Sequence, residues 1–189
     1  MALRSQYRGR AILLIAMIAG LAGGCATVNP DQMVPNSSAR ATSRGEKTLT
    51  VSEVTGGVEA NKLAFDPIDQ VRIGSEQFRA ALIKALEASG FFQSVRSAGA
   101  SDYRLEAHII AEQPQRAGFL SVTSSFVVNY RLVETNSGRD AWHETIVSNN
   151  TAEGAPVTEG LPGATKKSLE GAARQNLAEM TEKLLKNLR

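Results

Sequence analysis

The sequence contains one cysteine and two histidines, side chains that can act as a nucleophile, a general base or a metal ligand: Cys25, His108 and His143. A single cysteine excludes an intrachain disulfide and a zinc site built from several cysteines. Neither histidine lies at ligand spacing from the other, and both fall within segments that alternate as strands, so we expect exposed strand residues. The sequence therefore predicts no metal site and no catalytic histidine.

Acidic side chains gather around the connection that follows the first predicted strand: Glu53, Glu59, Asp66 and Asp69. Two carboxyl groups about 5–10 Å apart would serve a glycoside hydrolase. Loops also collect acidic residues for solubility, and neither a phosphate-binding glycine motif nor a Gly-x-Ser-x-Gly motif occurs in the sequence. We therefore expect a protein that is not an enzyme and holds no resident cofactor, with a hydrolase as the weaker alternative.

The amino-terminal segment has the composition of a targeting sequence. Arg4, Arg8 and Arg10 precede residues 11–24, which carry no charge. A basic head followed by a short apolar run and small residues is typical of a secretory signal peptide. The run is shorter than the ~20 residues that span a bilayer, so a permanent transmembrane helix is the weaker interpretation. We predict that residues 1–24 are removed.

The net charge changes when this segment is removed. The full sequence has 21 basic and 19 acidic residues, a formal charge of +2. Since residues 1–24 contain three arginines and no acidic residue, the mature chain has 21 − 3 = 18 basic against 19 acidic residues, a charge of −1. A chain without a basic excess gives no support to nucleic-acid binding.

The run from Leu21 to Cys25, LAGGC, resembles the lipobox of bacterial lipoproteins. The resemblance implies cleavage between Gly24 and Cys25, a diacylglycerol on the Cys25 thiol and acylation of the new amino terminus. Ala22 stands where the family most often has leucine. Ala26 stands where an aspartate would retain a lipoprotein of enteric-type bacteria in the inner membrane, which favours the periplasmic face of the outer membrane. An ordinary signal peptide, with Cys25 as a bystander, is the alternative.

The mature chain divides into a tether and one domain. Residues 25–46 contain prolines, many small polar residues and few large apolar ones, which predicts a flexible tether between the lipid and the domain. Residues 47–189 contain the periodic apolar patterns of a compact domain. We therefore expect a lipidated amino terminus and tether at 25–46 and a periplasmic α/β domain at 47–189.

The patterns in the domain predict the order β-α-β-β-β-α, an α+β fold. Two amphipathic helices are predicted, one beginning after a Ser75 N-cap and ending at Gly90, the other over 165–188. They would cover one face of a four-stranded mixed sheet, giving a two-layer sandwich whose last three strands form an antiparallel meander. The predicted strands are 47–54, 103–113, 119–134 and 141–147.

Two groups of apolar residues fall where polar ones are expected. The first lies in the connection before the first helix and either covers the core or forms a patch for a partner or ligand. It consists of Leu63, Phe65, Ile68, Val71 and Ile73. The second is predicted on the sheet face away from the helices and consists of Ile110, Val127, Val133 and Val147.

The domain pattern looks like that of small α/β domains in bacterial envelope lipoproteins: ABC-transport auxiliary lipoproteins, penicillin-binding-protein activators and the amino-terminal domain type of the Tol translocation protein. The matching residues are Phe78-x-x-Ala81-Leu82-x-x-Ala85-Leu86-x-x-x-Gly90-Phe91-Phe92, Asp102-Tyr103-x-Leu105, Tyr130-x-Leu132-Val133, Gly138 and Trp142-x-Glu144. The resemblance implies a non-enzymatic accessory protein that binds another envelope protein, but it transfers no binding residue. The alternatives are a periplasmic carrier of lipids or hydrophobic ligands and, with less support, a cell-wall hydrolase.

Overall fold

The computed structural model describes residues 27–36, 41, 45–60, 63–154 and 159–188. The predicted signal peptide, its cleavage site at Gly24 and the lipid attachment site Cys25 lie outside these residues. Within the described residues, no helix is both long and apolar enough to cross a membrane.

The described residues form three α-helices, one 3₁₀-helix and five strands. In chain order these are α1 Pro30–Met33, β1 Thr48–Val51, the 3₁₀-helix Pro67–Gln70, α2 Ser75–Ser89, β2 Ser94–Arg96, β3 Tyr103–Arg116, β4 Ser121–Glu134, β5 Asp140–Glu153 and α3 Gly160–Asn187.

The strands form one mixed sheet in the order β2-β1-β3-β4-β5. Strand β1 is parallel to both β2 and β3, whereas β3, β4 and β5 form the predicted antiparallel meander. The α+β class is confirmed, but the prediction of four strands is wrong in number because it omitted β2. That strand has three residues, Ser94–Arg96, which is too short for an alternating pattern to stand out.

Both long helices pack on the same face of the sheet. On β4, Phe126 meets Phe78 of α2 with ring centroids 5.1 Å apart, and the Ser124 hydroxyl hydrogen-bonds that of Ser168 on α3 at 2.6 Å. Ser124 and Phe126 are two residues apart and therefore point to one face of the strand. The buried core between the layers includes Leu49, Val51, Leu82, Leu86, Leu105, Val128, Ile146, Leu169, Leu177, Met180 and Leu184.

Several predicted boundaries need correction. Ser75 is the first residue of α2 rather than its N-cap, and its hydroxyl accepts a hydrogen bond from the Gly57 N–H at 3.1 Å. Gly90 ends the helix in the left-handed conformation, as predicted (φ 64°). The predicted strand 141–147 is too short, because the polar residues after Val147 continue the β4–β5 pairing as far as Ser121 opposite Glu153.

A β-bulge in β3 reverses which side chains face the helices. The pairing with β4 shifts between Ile109, opposite Val128, and Ala111, opposite Val127. The sequence predicts Ala111 on the same face as Ile109, but the extra residue at the bulge places Ala111 on the opposite face. The same shift sets Glu112 opposite Phe126, and so on the helix side of the sheet.

The segment of residues 27–36, here called the strap, packs against the domain. Met33 is fully buried in the main core, and Val28 packs against that core. Farther along the chain, the Ala41 N–H donates to the Ser89 carbonyl at 3.0 Å. The prediction of a flexible tether over 25–46 therefore does not hold for the strap, which is docked through Met33 and through polar contacts with the long helices.

Candidate docking surface

The face of the sheet that points away from α2 and α3, here called the open face, is the broadest sheet surface outside the core. Strands β3, β4 and β5 have 14 residues each. On each of them the outward side chains alternate with the buried ones that contact the helices. The outward residues include Arg104, Glu106, His108, Ile110, Val127, Asn129, Arg131, His143, Thr145 and Val147.

An apolar row crosses the middle of the open face. Val127 on β4 is paired with Val147 on β5, and Ile110 lies at the bulge beside them on β3. Ile110 and Val147 are 54% and 56% exposed. Val133 pairs with the outward Arg104 and so lies on the predicted face, but its side chain is buried and adds nothing to the exposed row. The apolar row therefore consists of Ile110, Val127 and Val147.

A network of charged side chains lies at one end of the open face. Arg131 forms ion pairs with Asp140 at 2.8 Å and with Glu106 at 3.2 Å. Arg104 also forms an ion pair with Glu106, at 3.0 Å. The hydrogen bond to Asp140 is the largest cause of a raised pKa for Arg131. Because acidic and basic groups are interleaved, this end has a mixed-charge character.

The two histidines lie on the open face as exposed strand residues. Nδ1 of His108 is 2.9 Å from the Thr55 hydroxyl, and Nε2 of His143 is 3.0 Å from the Asn129 amide nitrogen. These partners are neutral, so neither histidine has the carboxylate that orients a general base in a catalytic triad. No group of three or more metal-ligating side chains occurs in the part of the chain that the structure describes.

A shallow concavity of about 370 Å³ lies beside His108. Its lining comes from β3, β4 and the segment that follows β1. The lining residues are Ser52, Glu53, Thr55, Glu106, Ala107, His108, Asn129 and Arg131. The open face therefore has an apolar centre with a hollow next to it.

The candidate patch in the connection before α2 is divided between core and surface. Val71 and Ile73 are buried in the main core, and Ile68 packs in a small cluster with Val122 and Ala164. Of the two alternatives stated for this group, these three side chains follow the first, because they cover the core. Leu63 and Phe65 are almost entirely exposed.

Two acidic residues of that connection have structural roles. Asp66 accepts hydrogen bonds from the Ile68 N–H and the Arg116 guanidinium, both at 3.1 Å, and these contacts lower its pKa. Asp69 bonds Arg72 at 2.6 Å. A hydrolase needs one carboxyl group that stays protonated to act as the acid, and the lowered pKa of Asp66 is opposite to that requirement. Glu53 instead lines the hollow of the open face.

Glu112 is an ionisable residue that the sequence did not single out. Its side chain is largely buried between β3 and the connection, where it accepts a 2.8 Å hydrogen bond from the Ile73 N–H. Burial raises its pKa to about 7, although the Ile73 N–H and the charge of Arg72 act in the opposite direction. In the sequence it stands among polar residues, and only the bulge places it on the inner face.

Comparison with known proteins identifies the fold. No family model and no curated protein matches the sequence. Among solved structures, a Xanthomonas campestris protein of the family DUF330 matches with a TM-score of 0.59 and 17% identity over 82% of this chain and 90% of that one.

Two further solved structures have the same fold. A PelC chain, solved as a dodecamer from Paraburkholderia phytofirmans, matches with a TM-score of 0.52 and 17% identity over 79% of this chain and 93% of that one. A Chlamydia trachomatis protein matches with a TM-score of 0.53 and 9% identity over 76% of this chain and 98% of that one. At these identities the likeness is one of fold, so this chain shares a fold that occurs in several bacterial proteins.

Proposed function

We propose that this chain is a lipid-anchored accessory protein of the bacterial envelope that binds another envelope protein through its open face and catalyses no reaction. The lipobox-like run ending at Cys25 supports the anchor. The apolar row of Ile110, Val127 and Val147 is the observation that carries the binding role. An exposed apolar centre surrounded by polar side chains is typical of a protein–protein contact.

The size of the open face supports a protein as the partner. Three strands of 14 residues make a surface roughly 46 Å long and 14 Å wide, or roughly 650 Å². That is close to the ~800 Å² that each partner contributes to a standard protein–protein contact. The interleaved charges of Arg131, Glu106 and Asp140 complement a protein surface that carries both charges better than they complement a uniformly anionic surface.

The alternatives receive less support from the same residues. The carrier hypothesis needs space between the sheet and the apolar connection, but Ile68, Val71 and Ile73 are buried there. The hydrolase hypothesis needs a protonated acid beside a second carboxylate, whereas Asp66 has a lowered pKa and Asp69 is paired with Arg72. The PelC structure is a dodecamer, so a second copy of this chain is the competing occupant of the open face.

Crosslinking in cells tests the binding role. A photoreactive amino acid at Val147 should give an adduct with a defined envelope protein, whereas the same amino acid at Glu87, which is exposed on α2, should not. The adduct should disappear when Val127→Glu places a charge in the apolar row. An adduct between two copies of this chain would show that the open face binds a second copy instead of another envelope protein. No adduct, or one that Val127→Glu leaves unchanged, would contradict binding through this face.

Metabolic labelling tests the anchor separately. Cells given a radioactive fatty acid should label the wild-type protein but not the Cys25→Ala variant. If the wild type takes up no label, or if Cys25→Ala keeps it, the lipid is not on this cysteine.

A further inference from the structure

Four contacts hold the strap against the two long helices. The Asn29 N–H donates a 2.6 Å hydrogen bond to the buried carboxylate of Glu170 on α3, and the Arg174 side chain donates to the Gln32 carbonyl at 2.8 Å. Asp31 is ion-paired with Lys84 of α2. Met33 completes the attachment by burying its side chain in the main core.

The strap lies on the helix layer rather than on the sheet. Its helix α1 packs against both α2 and α3, and its polar partners Lys84, Glu170 and Arg174 all belong to those two helices. The apolar row of the open face lies on the opposite side of the sheet. The strap and the open face are therefore separated by the helix layer, about 10 Å thick, and by the sheet itself.

The docked strap shortens the distance between the lipid and the domain. Four residue steps separate Cys25 from Asn29, and at about 3.6 Å per step the chain between them spans at most roughly 14 Å. A free tether over 25–46 would span up to roughly 75 Å. A lipid on Cys25 would thus be held within a short distance of Glu170.

We infer that the strap holds the domain with its helix layer toward the membrane, so that the open face points away from the lipid and meets a protein that approaches from the aqueous side. This inference rests on the proposed lipid at Cys25. It excludes the bilayer surface as the occupant of the open face. It also places the partner close to the membrane, because the domain cannot travel the length of a free tether.

Energy transfer to a labelled membrane tests this orientation. The lipidated full-length protein is placed in vesicles of phosphatidylethanolamine and phosphatidylglycerol that contain an acceptor lipid. Because lipid blocks Cys25, a donor dye attaches only to an introduced cysteine, Glu87→Cys on α2 or Thr145→Cys on the open face. Transfer from Glu87→Cys should clearly exceed that from Thr145→Cys. Equal transfer from the two positions, or more from Thr145→Cys, would overturn the inference.

Two changes separate the role of the strap from that of the fold. Glu170→Ala combined with Met33→Ser should abolish the difference between the two dye positions, whereas Glu179→Ala, elsewhere on α3, should preserve it. If the first variant unfolds, a long Gly-Ser linker inserted between Ala26 and Thr27 gives the same test without touching the strap. The linker should lower transfer from both positions, and unchanged transfer would show that the strap does not set the distance.

The inference and the proposed function fail in different ways. If the wild type carries lipid but transfers energy equally from the two positions, the anchor stands and the orientation is wrong. If the wild type carries no lipid, the anchor itself is wrong.

Discussion

The hydroxyl of Tyr130 on β4 donates a 2.7 Å hydrogen bond to Oδ1 of Asn176 on α3, and both side chains are wholly buried. The amide nitrogen of Asn176 donates in turn to the carbonyl of Ile146 on β5 at 3.0 Å. Burial raises the pKa of Tyr130 well above its usual value, so the hydroxyl remains a donor. Asn176 therefore joins α3 to two strands, and this pairing fixes where the helix sits along the sheet.

Removing the Tyr130 hydroxyl should destabilise the domain. Tyr130→Phe leaves Oδ1 of Asn176 buried without its donor, and we expect the free energy of unfolding to fall by about 1–3 kcal/mol. Urea denaturation followed by the fluorescence of Trp142, the single tryptophan, measures this change.

Tyr103 provides the matched control, because it lies only partly buried at the start of β3. Tyr103→Phe should change the free energy of unfolding by less than about 0.5 kcal/mol. A double-mutant cycle with Asn176→Ala should give a coupling energy between Tyr130 and Asn176. Equal effects of Tyr130→Phe and Tyr103→Phe would show that the buried bond does not contribute to stability.

Glu112 should make stability depend on pH near neutrality. Its folded pKa of about 7 lies above its ordinary value of 4.5, so the folded state binds the proton more tightly. The stabilisation from the protonated form is complete below pH 4.5 and is lost as the pH rises to about 7. At about 1.4 kcal/mol per unit, this loss is about 3 kcal/mol.

Glu112→Gln should remove that dependence, because an amide cannot ionise while its oxygen can still accept from the Ile73 N–H. The variant should therefore gain stability relative to the wild type between pH 4.5 and pH 8, measured by urea denaturation at both values. Glu153→Gln, an exposed change on β5, should follow the wild type. If the free energy of unfolding changes by the same amount in Glu112→Gln and in the wild type over this pH range, Glu112 does not titrate there.

The main elements of this fold are readable in the sequence because their patterns are long. The alternation of Leu105, Ala107 and Ile109 and the helical spacing of Phe78 and Leu82 each predicted an element that the structure contains. The sequence did not predict strand β2, because three residues are too few to show the alternation of a strand. The docking of the strap depends on contacts between Met33 and two helices from distant parts of the chain. Such contacts cannot be predicted from the local composition of residues 25–46.

The candidate site was predictable only in part for the same physical reason. The alternation in β4 and β5 places Val127 and Val147 outward, as predicted. The bulge beside Ile110 is decided by pairing between strands. This shift moves Ala111 to the open face and brings Glu112 inward.

The divided connection before α2 gives a third prediction. Ile73 is fully buried, so Ile73→Ala should lower the free energy of unfolding by about 2–5 kcal/mol through lost burial and a residual cavity. Leu63 is 94% exposed, so Leu63→Ala should change it by less than about 0.5 kcal/mol. Comparable losses from both variants would show that the exposed end of the connection also contributes to the core.

Close backbone contact at Gly154 gives the last prediction. A Cβ at Gly154 would lie 2.0 Å from the carbonyl oxygen of Gly160, the first residue of α3, and 3.2 Å from the Ala164 nitrogen. Because these are backbone atoms, Gly154→Ala must push the end of β5 and the start of α3 apart, at a cost of about 1–3 kcal/mol. The Gly154 N–H also donates to the Leu120 carbonyl at 2.9 Å, so the strand end cannot shift without straining that bond.

Gly118 is the matched control for this change. Its Cβ would lie 3.4 Å from the Ser121 Cβ, an ordinary contact with a side-chain carbon in the β3–β4 turn. Gly118→Ala should therefore leave the midpoint of urea denaturation nearly unchanged, while Gly154→Ala lowers it. If the two variants unfold at the same urea concentration, the approach of β5 to α3 at Gly154 is looser than the structure shows. A lower midpoint for Gly154→Ala alone would establish that the absence of a side chain there lets α3 begin directly against the end of the sheet.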